Sequence, residues 1–118
     1  MYDEECYLIP KVLLQDEFYS ALSVDAIFVY TILKEKQKEA VLRHWIDEEG
    51  NIYLSYSIEE LMKLFGYSRS KMVVLMRSLE EHNLIERDRV PVFYGHSLPY
   101  RTYTVSYTHL TLPTSDLV

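Results

Sequence analysis

Three cations without an acidic neighbour make residues 66–79 the part of the chain best suited to bind another molecule. They are Arg69, Lys71 and Arg77. A guanidinium group bonds bidentately to guanine and an ammonium group contacts phosphate, so the chemistry that this stretch favours is recognition of DNA. The alternative interpretation is an ordinary solvated helix face that carries three positive residues.

The outward face of the same stretch also carries uncharged groups. Ser70, Val74 and Arg77 share this face at helical spacing, and Lys71 and Val73 flank it. A serine hydroxyl bonds to bases or phosphates and a valine can touch a thymine methyl, which suits a helix in the major groove. The predicted DNA-binding residues, including those of the wing described below, are Ser68, Arg69, Ser70, Lys71, Val74, Arg77, Arg87, Arg89 and Arg101.

Two helices joined by a short turn are needed to position these residues. Ser57 and Glu60 have the spacing of a capping box, and Gly66 suits the left-handed residue that ends a helix. Ser68 can cap the second helix, and Asn83 is its natural end. Apolar positions recur at helical spacing in both helices: Ile58, Leu61, Met62, Phe65, Met72, Leu75, Met76 and Leu79. This pattern predicts a DNA-binding helix-turn-helix.

Extended segments after the second helix predict a wing. Residues 84–87 and 100–104 can pair as its two strands. Arg87, Arg89 and Arg101 would then project toward phosphate or, alternatively, stand on solvent-facing strand edges.

The upstream part of the chain completes the predicted fold. Ser23 can cap a long helix that is apolar on nearly every side, and Pro10 suits the first position of a short one. Residues 45–47 and 52–56 flank a Gly-Asn turn and predict a β-hairpin. The predicted fold class is α+β: a winged helix-turn-helix with a small β-hairpin and a wing.

Length and composition fit one domain in a reducing compartment. The chain has 118 residues and one cysteine, Cys6, which cannot form an internal disulfide and therefore favours the cytoplasm. The net charge of −6 argues against a nucleic-acid partner, but the acids lie in clusters outside residues 66–79. We expect no membrane span and no signal peptide, because no long apolar run follows a basic start.

Residues that would support an enzyme are scattered. The four histidines and the single cysteine have no zinc-ligand spacing, and the three glycines form no phosphate-binding loop. We therefore expect no catalysis, no metal and no cofactor.

The last fourteen residues resemble something other than a natural protein segment. Residues 105–114 are similar to a direct translation of a transposon-end sequencing adapter, and 115–118 fit index bases followed by adapter codons. This resemblance implies that 105–118 is a non-native tail and that residues 1–104 are the winged-helix domain. It also implies that the natural protein continues further.

Several blocks of residues occur in a specific order along the chain. They include Ile-Pro-Lys-Val-Leu at 9–13, Leu-Ser-Val-Asp-Ala at 22–26, Trp-Ile-Asp-Glu-Glu-Gly-Asn-Ile-Tyr at 45–53, Ser-Ile-Glu-Glu-Leu at 57–61, and residues 68–71 and 79–87. In this order they resemble the N-terminal domain of the plasmid replication initiator A family of Gram-positive bacteria.

The resemblance implies a winged-helix domain that binds double-stranded DNA at repeated sites of a plasmid origin, as a homodimer. It also implies a C-terminal region that recruits host replication proteins. The chain departs from the family in the wing, where residues 90–96 lack the usual basic turn. Two alternatives stay open: a winged-helix transcription regulator, and a winged helix used for protein assembly without DNA contact.

Overall fold

The computed structural model describes residues 6–88 and 101–105. Within them the chain forms helices and a small antiparallel sheet, which confirms the α+β class. The helices are α1 (Val12–Gln15), α2 (Val24–Leu42), α3 (Ile58–Phe65) and α4 (Arg69–Glu81), with a 3-10 turn at Glu17–Tyr19. The strands are β1 (Leu54–Ser55), β2 (Ile85–Asp88) and β3 (Arg101–Thr104).

Helix α2 is the central element of the fold. The Ser23 hydroxyl accepts a hydrogen bond of 3.1 Å from the Ala26 amide and caps it as predicted. Its first half is buried on several sides because it packs against both α4 and the sheet. The helix continues through the polar stretch at 34–39, where Ala40 returns to the core with no exposed surface.

Helices α3 and α4 form the predicted helix-turn-helix. The Ser57 hydroxyl accepts from the Glu60 amide and the Glu60 carboxylate accepts from the Ser57 amide, which completes the capping box. Gly66 ends α3 at a φ of +74°, a left-handed conformation that glycine adopts without strain. Ser68 caps the start of α4, and Asn83, which follows the C-cap His82, has a φ of +60°.

One hydrophobic core joins these helices to the sheet. Helix α4 buries all four of its predicted apolar positions, and α3 buries Leu61. The largest of the fully buried side chains are Leu13, Tyr19, Val29, Tyr30, Leu33, Leu54, Met72, Met76, Leu79, Leu84 and Ile85. Because α4 contributes one whole face to this core, its opposite face is left for solvent or a partner.

The sheet has the order β1-β3-β2, with both pairings antiparallel. Strands β2 and β3 pair from Ile85 opposite Thr104 to Asp88 opposite Arg101, so the predicted wing strands are confirmed. The pairing extends one residue further, since the Val105 amide donates to the Leu84 carbonyl over 2.8 Å.

Two upstream predictions need correction. The predicted hairpin is reduced to one bridge between Ile46 and Ile52, because the strand that follows, β1, pairs with β3 instead. Pro10 precedes α1 rather than opening it: Lys11 is the N-cap and the helix begins at Val12. The Pro10 carbonyl accepts from the Leu13 amide, so the proline still contributes to the first turn.

Candidate nucleic-acid interface

The exposed face of α4 carries a stripe of three side chains with different chemistry. Ser70, Val74 and Arg77 follow one another at spacings of four and three residues, and all three are exposed. The relative exposure of Val74 is 58%. The stripe therefore presents a hydroxyl, an apolar group and a guanidinium, which together can contact base edges and thymine methyls.

Arg77 is the cation on this stripe that is free to bind a ligand. Within residues 6–88 and 101–105, it makes no hydrogen bond or ion pair. Arg77 lies about two turns after the first residue of α4 and about one turn before the last, and its guanidinium can make a bidentate contact to guanine.

Arg69 lies on one flank of the stripe, about 100° around the helix from Ser70. Its guanidinium forms an ion pair with the carboxylate of Glu59 in α3. Both side chains are more than half exposed, at 56% for Arg69 and 61% for Glu59. The hydrogen bond from Arg69 lowers the pKa of Glu59, so the carboxylate is ionised at neutral pH.

Lys71 lies on the opposite flank and belongs to a three-residue cluster. Its ammonium group is 2.9 Å from a carboxylate oxygen of Asp25, at the start of α2, and 4.2 Å from the centre of the Tyr67 ring. The Tyr67 hydroxyl donates to the other Asp25 oxygen over 3.0 Å. Hydrogen bonds from Lys71 and then Tyr67 lower the pKa of Asp25, and the bond to Asp25 raises the pKa of Lys71. The cluster is therefore a charged pair steadied by a tyrosine.

Ser68, Arg87 and Arg101 each have a partner within the protein. The Ser68 hydroxyl accepts from the Lys71 amide as the cap of α4. Arg87 is 19% exposed and donates to the Glu80 carboxylate of α4 over 2.8 Å. Arg101 is 3.5 Å from the Glu48 carboxylate and lies over the Tyr53 ring. Arg89 lies outside the described residues. Contact of these residues with DNA stays a prediction.

Glu59, Asp25 and Tyr67 belong to this surface although the sequence did not single them out. Asp25 precedes Lys71 by 46 positions in the chain, and only the packing of α2 against α4 brings them together. Glu59 and Arg69 are ten positions apart across the turn between α3 and α4. The spacing of residues along the sequence therefore does not reveal either ion pair.

Across 6–88 and 101–105 there is no group of three His, Cys, Asp or Glu side chains placed to hold a metal ion. None of the helices described is both long enough and apolar enough to span a membrane.

Fold and surface together define a winged helix-turn-helix domain with an exposed second helix. The family model described as Replication initiator protein A (RepA) N-terminus matches residues 5–114. Because this match covers most of the chain, the chain belongs to that family. The matched range passes the boundary at Thr104, which stays a prediction.

Three solved structures are similar over nearly the whole chain. "Structure of Rep-DNA complex" has a TM-score of 0.79 and 28% identity, covering 98% of this chain and 90% of that one. "N-Terminal domain of DNA binding protein" has a TM-score of 0.78 and 28% identity, covering 98% and 89%. "Structure of MDR initiator" has a TM-score of 0.75 and 25% identity, covering 98% and 91%.

A curated relative is longer than the matched region. A 41 kDa protein of Lactobacillus helveticus is 26% identical over 77 residues, which are 65% of this chain and 22% of that protein. The chain thus corresponds to less than a quarter of this relative.

Proposed function

We propose that this chain is the DNA-binding domain of a plasmid replication initiator and recognises a specific double-stranded sequence. The observation that carries the proposal is the exposed stripe Ser70, Val74 and Arg77 on the second helix of a helix-turn-helix. A helix in this position fits the major groove of B-DNA, where each base pair presents a distinct pattern of donors and acceptors. Similarity to a protein solved in a Rep-DNA complex supports the same assignment.

At a plasmid origin the domain would act together with a second copy and with the rest of the whole protein. We propose that it binds repeated sites as a homodimer, and that a C-terminal region of the whole protein recruits host replication proteins. The support is family membership and the small share of the L. helveticus relative that the chain matches. A transcription regulator with the same DNA chemistry remains the alternative.

Selection of bound duplexes from a random DNA pool tests sequence recognition directly. We would run it on the 118-residue chain and, in parallel, on residues 1–104, at low and at physiological salt. Enrichment of a repeated or palindromic motif by both samples supports the proposed function and the proposed domain boundary. Folded samples that enrich no motif at either salt concentration would contradict it.

Substitutions on α4 test which residues read the DNA. Arg77→Ala removes the proposed base contact, so we expect a loss of roughly 1–3 kcal/mol on the selected site and relaxed preference at one base pair. If Lys71 leaves Asp25 and contacts phosphate in the complex, Lys71→Ala should weaken binding to all sequences alike and lower the salt slope by about 1. If Lys71 stays paired with Asp25, the slope should not change. Fluorescence anisotropy titrations over a range of salt measure both effects.

Lys38→Ala is the matched control for these variants. Lys38 is exposed on α2, about 20 Å along the helix axis from Asp25, and its ammonium pairs with Glu35. The Lys38→Ala substitution removes one positive charge and changes no residue of α4. If the α4 variants bind as the control does, the domain does not read DNA with this helix, and the protein-assembly alternative gains support.

A further inference from the structure

The two cations at the start of α4 are each held by a carboxylate from a different helix. Glu59 of α3 holds Arg69 on one flank of the stripe, and Asp25 of α2 holds Lys71 on the other. Among the three cations of α4, all within the described residues, only Arg77 has no ion-pair partner. The local charge at the start of the helix is therefore close to zero, although the sequence there contains cations and no acid.

Both ion pairs are exposed to solvent, so a phosphate group can replace the carboxylate in each. Side-chain exposure is 56% and 61% in the Arg69–Glu59 pair and 44% and 46% in the Lys71–Asp25 pair. An exposed pair of this kind changes an equilibrium by about fivefold at most. A phosphate group that approaches α4 thus competes with a carboxylate that is already in place, and the displaced carboxylate then lies beside the DNA backbone.

Competition between carboxylate and phosphate weakens binding to DNA of arbitrary sequence more than binding to the correct site. Non-specific binding depends almost entirely on neutralising phosphates with lysine and arginine. When the cations stay paired with carboxylates they release no counterions from the DNA. Base contacts by the stripe do not depend on these two pairs, so a correct sequence retains an attraction that an arbitrary one lacks.

We propose that Glu59 and Asp25 are specificity residues that restrain non-specific DNA binding by competing with phosphate for Arg69 and Lys71. This inference rests on the proposed function, because it assumes that α4 faces DNA. It assigns these acidic residues a role on the binding surface itself. The restraint is built from residues of three different helices, α2, α3 and α4.

Charge-neutral variants of similar shape test the proposal. Glu59→Gln and Asp25→Asn each remove the competing charge, and the asparagine amide oxygen can still accept from Tyr67. On a 30-base-pair duplex of random sequence at physiological salt, we expect each variant to bind about twofold to fivefold tighter than the unchanged chain. Each freed cation should also steepen the slope of log K against log salt by about 0.9.

Glu35→Gln is the matched control. Glu35 is an exposed glutamate on α2 whose carboxylate lies 3.0 Å from the Lys38 ammonium, so the variant makes the same change in net charge away from α4. Thermal melting of all variants confirms that they are folded. Variants that match Glu35→Gln in affinity and salt slope, or that bind the random duplex more weakly, would overturn the restraint.

The outcomes also separate this inference from the proposed function. If the unchanged chain enriches a DNA motif while both variants match the control, the restraint fails and the proposed function stands. If the unchanged chain binds no random duplex but both variants do, the restraint is supported. If the unchanged chain and the variants all fail to bind any duplex, both ideas fail together.

Discussion

Ser68 can serve either as a helix cap alone or as a cap that also contacts DNA, and two substitutions separate these roles. Ser68→Ala removes the acceptor for the Lys71 amide and should destabilise the fold by about 1 kcal/mol. Ser68→Asp keeps the cap, since aspartate caps as well as serine, but adds a negative charge at the proposed interface. We expect this variant to melt like the unchanged chain and to bind DNA about threefold more weakly, from Coulomb repulsion at ~6 Å in water.

Melting curves and duplex titrations measured on the same samples distinguish the two roles. Ser57→Asp is the control, because it makes the same change at the cap of α3, where Ser57 accepts from the Glu60 amide. If Ser68→Asp and Ser57→Asp weaken binding equally, Ser68 is a structural cap with no special place at the interface.

The residues that the sequence predicted correctly are those whose signal is local. The Ser57 and Ser68 hydroxyls accept from amides three positions later, and the amide of the left-handed Gly66 donates to a carbonyl four positions earlier, so spacing alone reveals them. The partners of the predicted cations depend on the packing of separate helices. The sequence therefore does not mark Asp25 as part of the surface, and it does not reveal that Arg69 and Lys71 each have a carboxylate partner.

The turn before β1 is held together by one carboxylate. Asp47 accepts from the amides of Glu49 and Asn51 at 2.9 and 2.8 Å through one oxygen, and from the Tyr103 hydroxyl at 2.8 Å through the other. The hydrogen bond from the Asn51 amide is the main cause that lowers the pKa of Asp47, with Tyr103 and Glu49 contributing. Asp47 thus links the turn to β3.

Because of the hydrogen bonds that Asp47 accepts, we expect the fold to lose stability as the pH falls. Because the pKa of Asp47 is lower in the folded state, its contribution is present above the unfolded value of about 3.9 and is lost as the pH falls toward the folded value. Asp47→Asn should therefore melt below the unchanged chain at pH 7, with a difference that shrinks at pH 3. Melting curves at both pH values, with Glu49→Gln as control, measure this. A difference that does not change with pH contradicts the assignment.

The sheet contains one strand pairing that the sequence predicts and one that it does not. The sequence predicts that residues 84–87 and 100–104 pair, because both follow α4 and have strand-like composition, and the pairing of β2 with β3 confirms this. For the segment at 52–56, the Gly-Asn turn predicts pairing with residues 45–47. Its main partner is instead β3, where Thr102 lies opposite Leu54 although it is 48 positions later in the chain. Alternation in a two-residue strand cannot specify a partner at that distance.

Total charge is a poor guide to the partner of this molecule. The net charge of −6 would argue against DNA, and the described structure places part of the acidity on the proposed interface as ion-pair partners. The fold class was predictable because capping, turn and apolar spacing all agreed on a helix-turn-helix. The electrostatics of the surface were not, because they depend on which charges meet in three dimensions.

A dimer that binds repeated sites sets a spacing rule for the DNA. Two winged-helix domains that contact each other on one face of B-DNA need sites separated by about 10 base pairs or a multiple of that number. A dimer contact of about 1.4 kcal/mol makes the second domain bind about tenfold tighter than the first. We therefore expect cooperative binding to two copies of the selected site at separations of about 10 and 21 base pairs.

At about 15 base pairs the second site faces the opposite side of the helix, and the cooperativity should disappear. Titrations of the three duplexes, with a single-site duplex as reference, measure the effect. Equal affinities at all three separations would mean that the domains bind independently, in which case dimer formation requires another part of the whole protein.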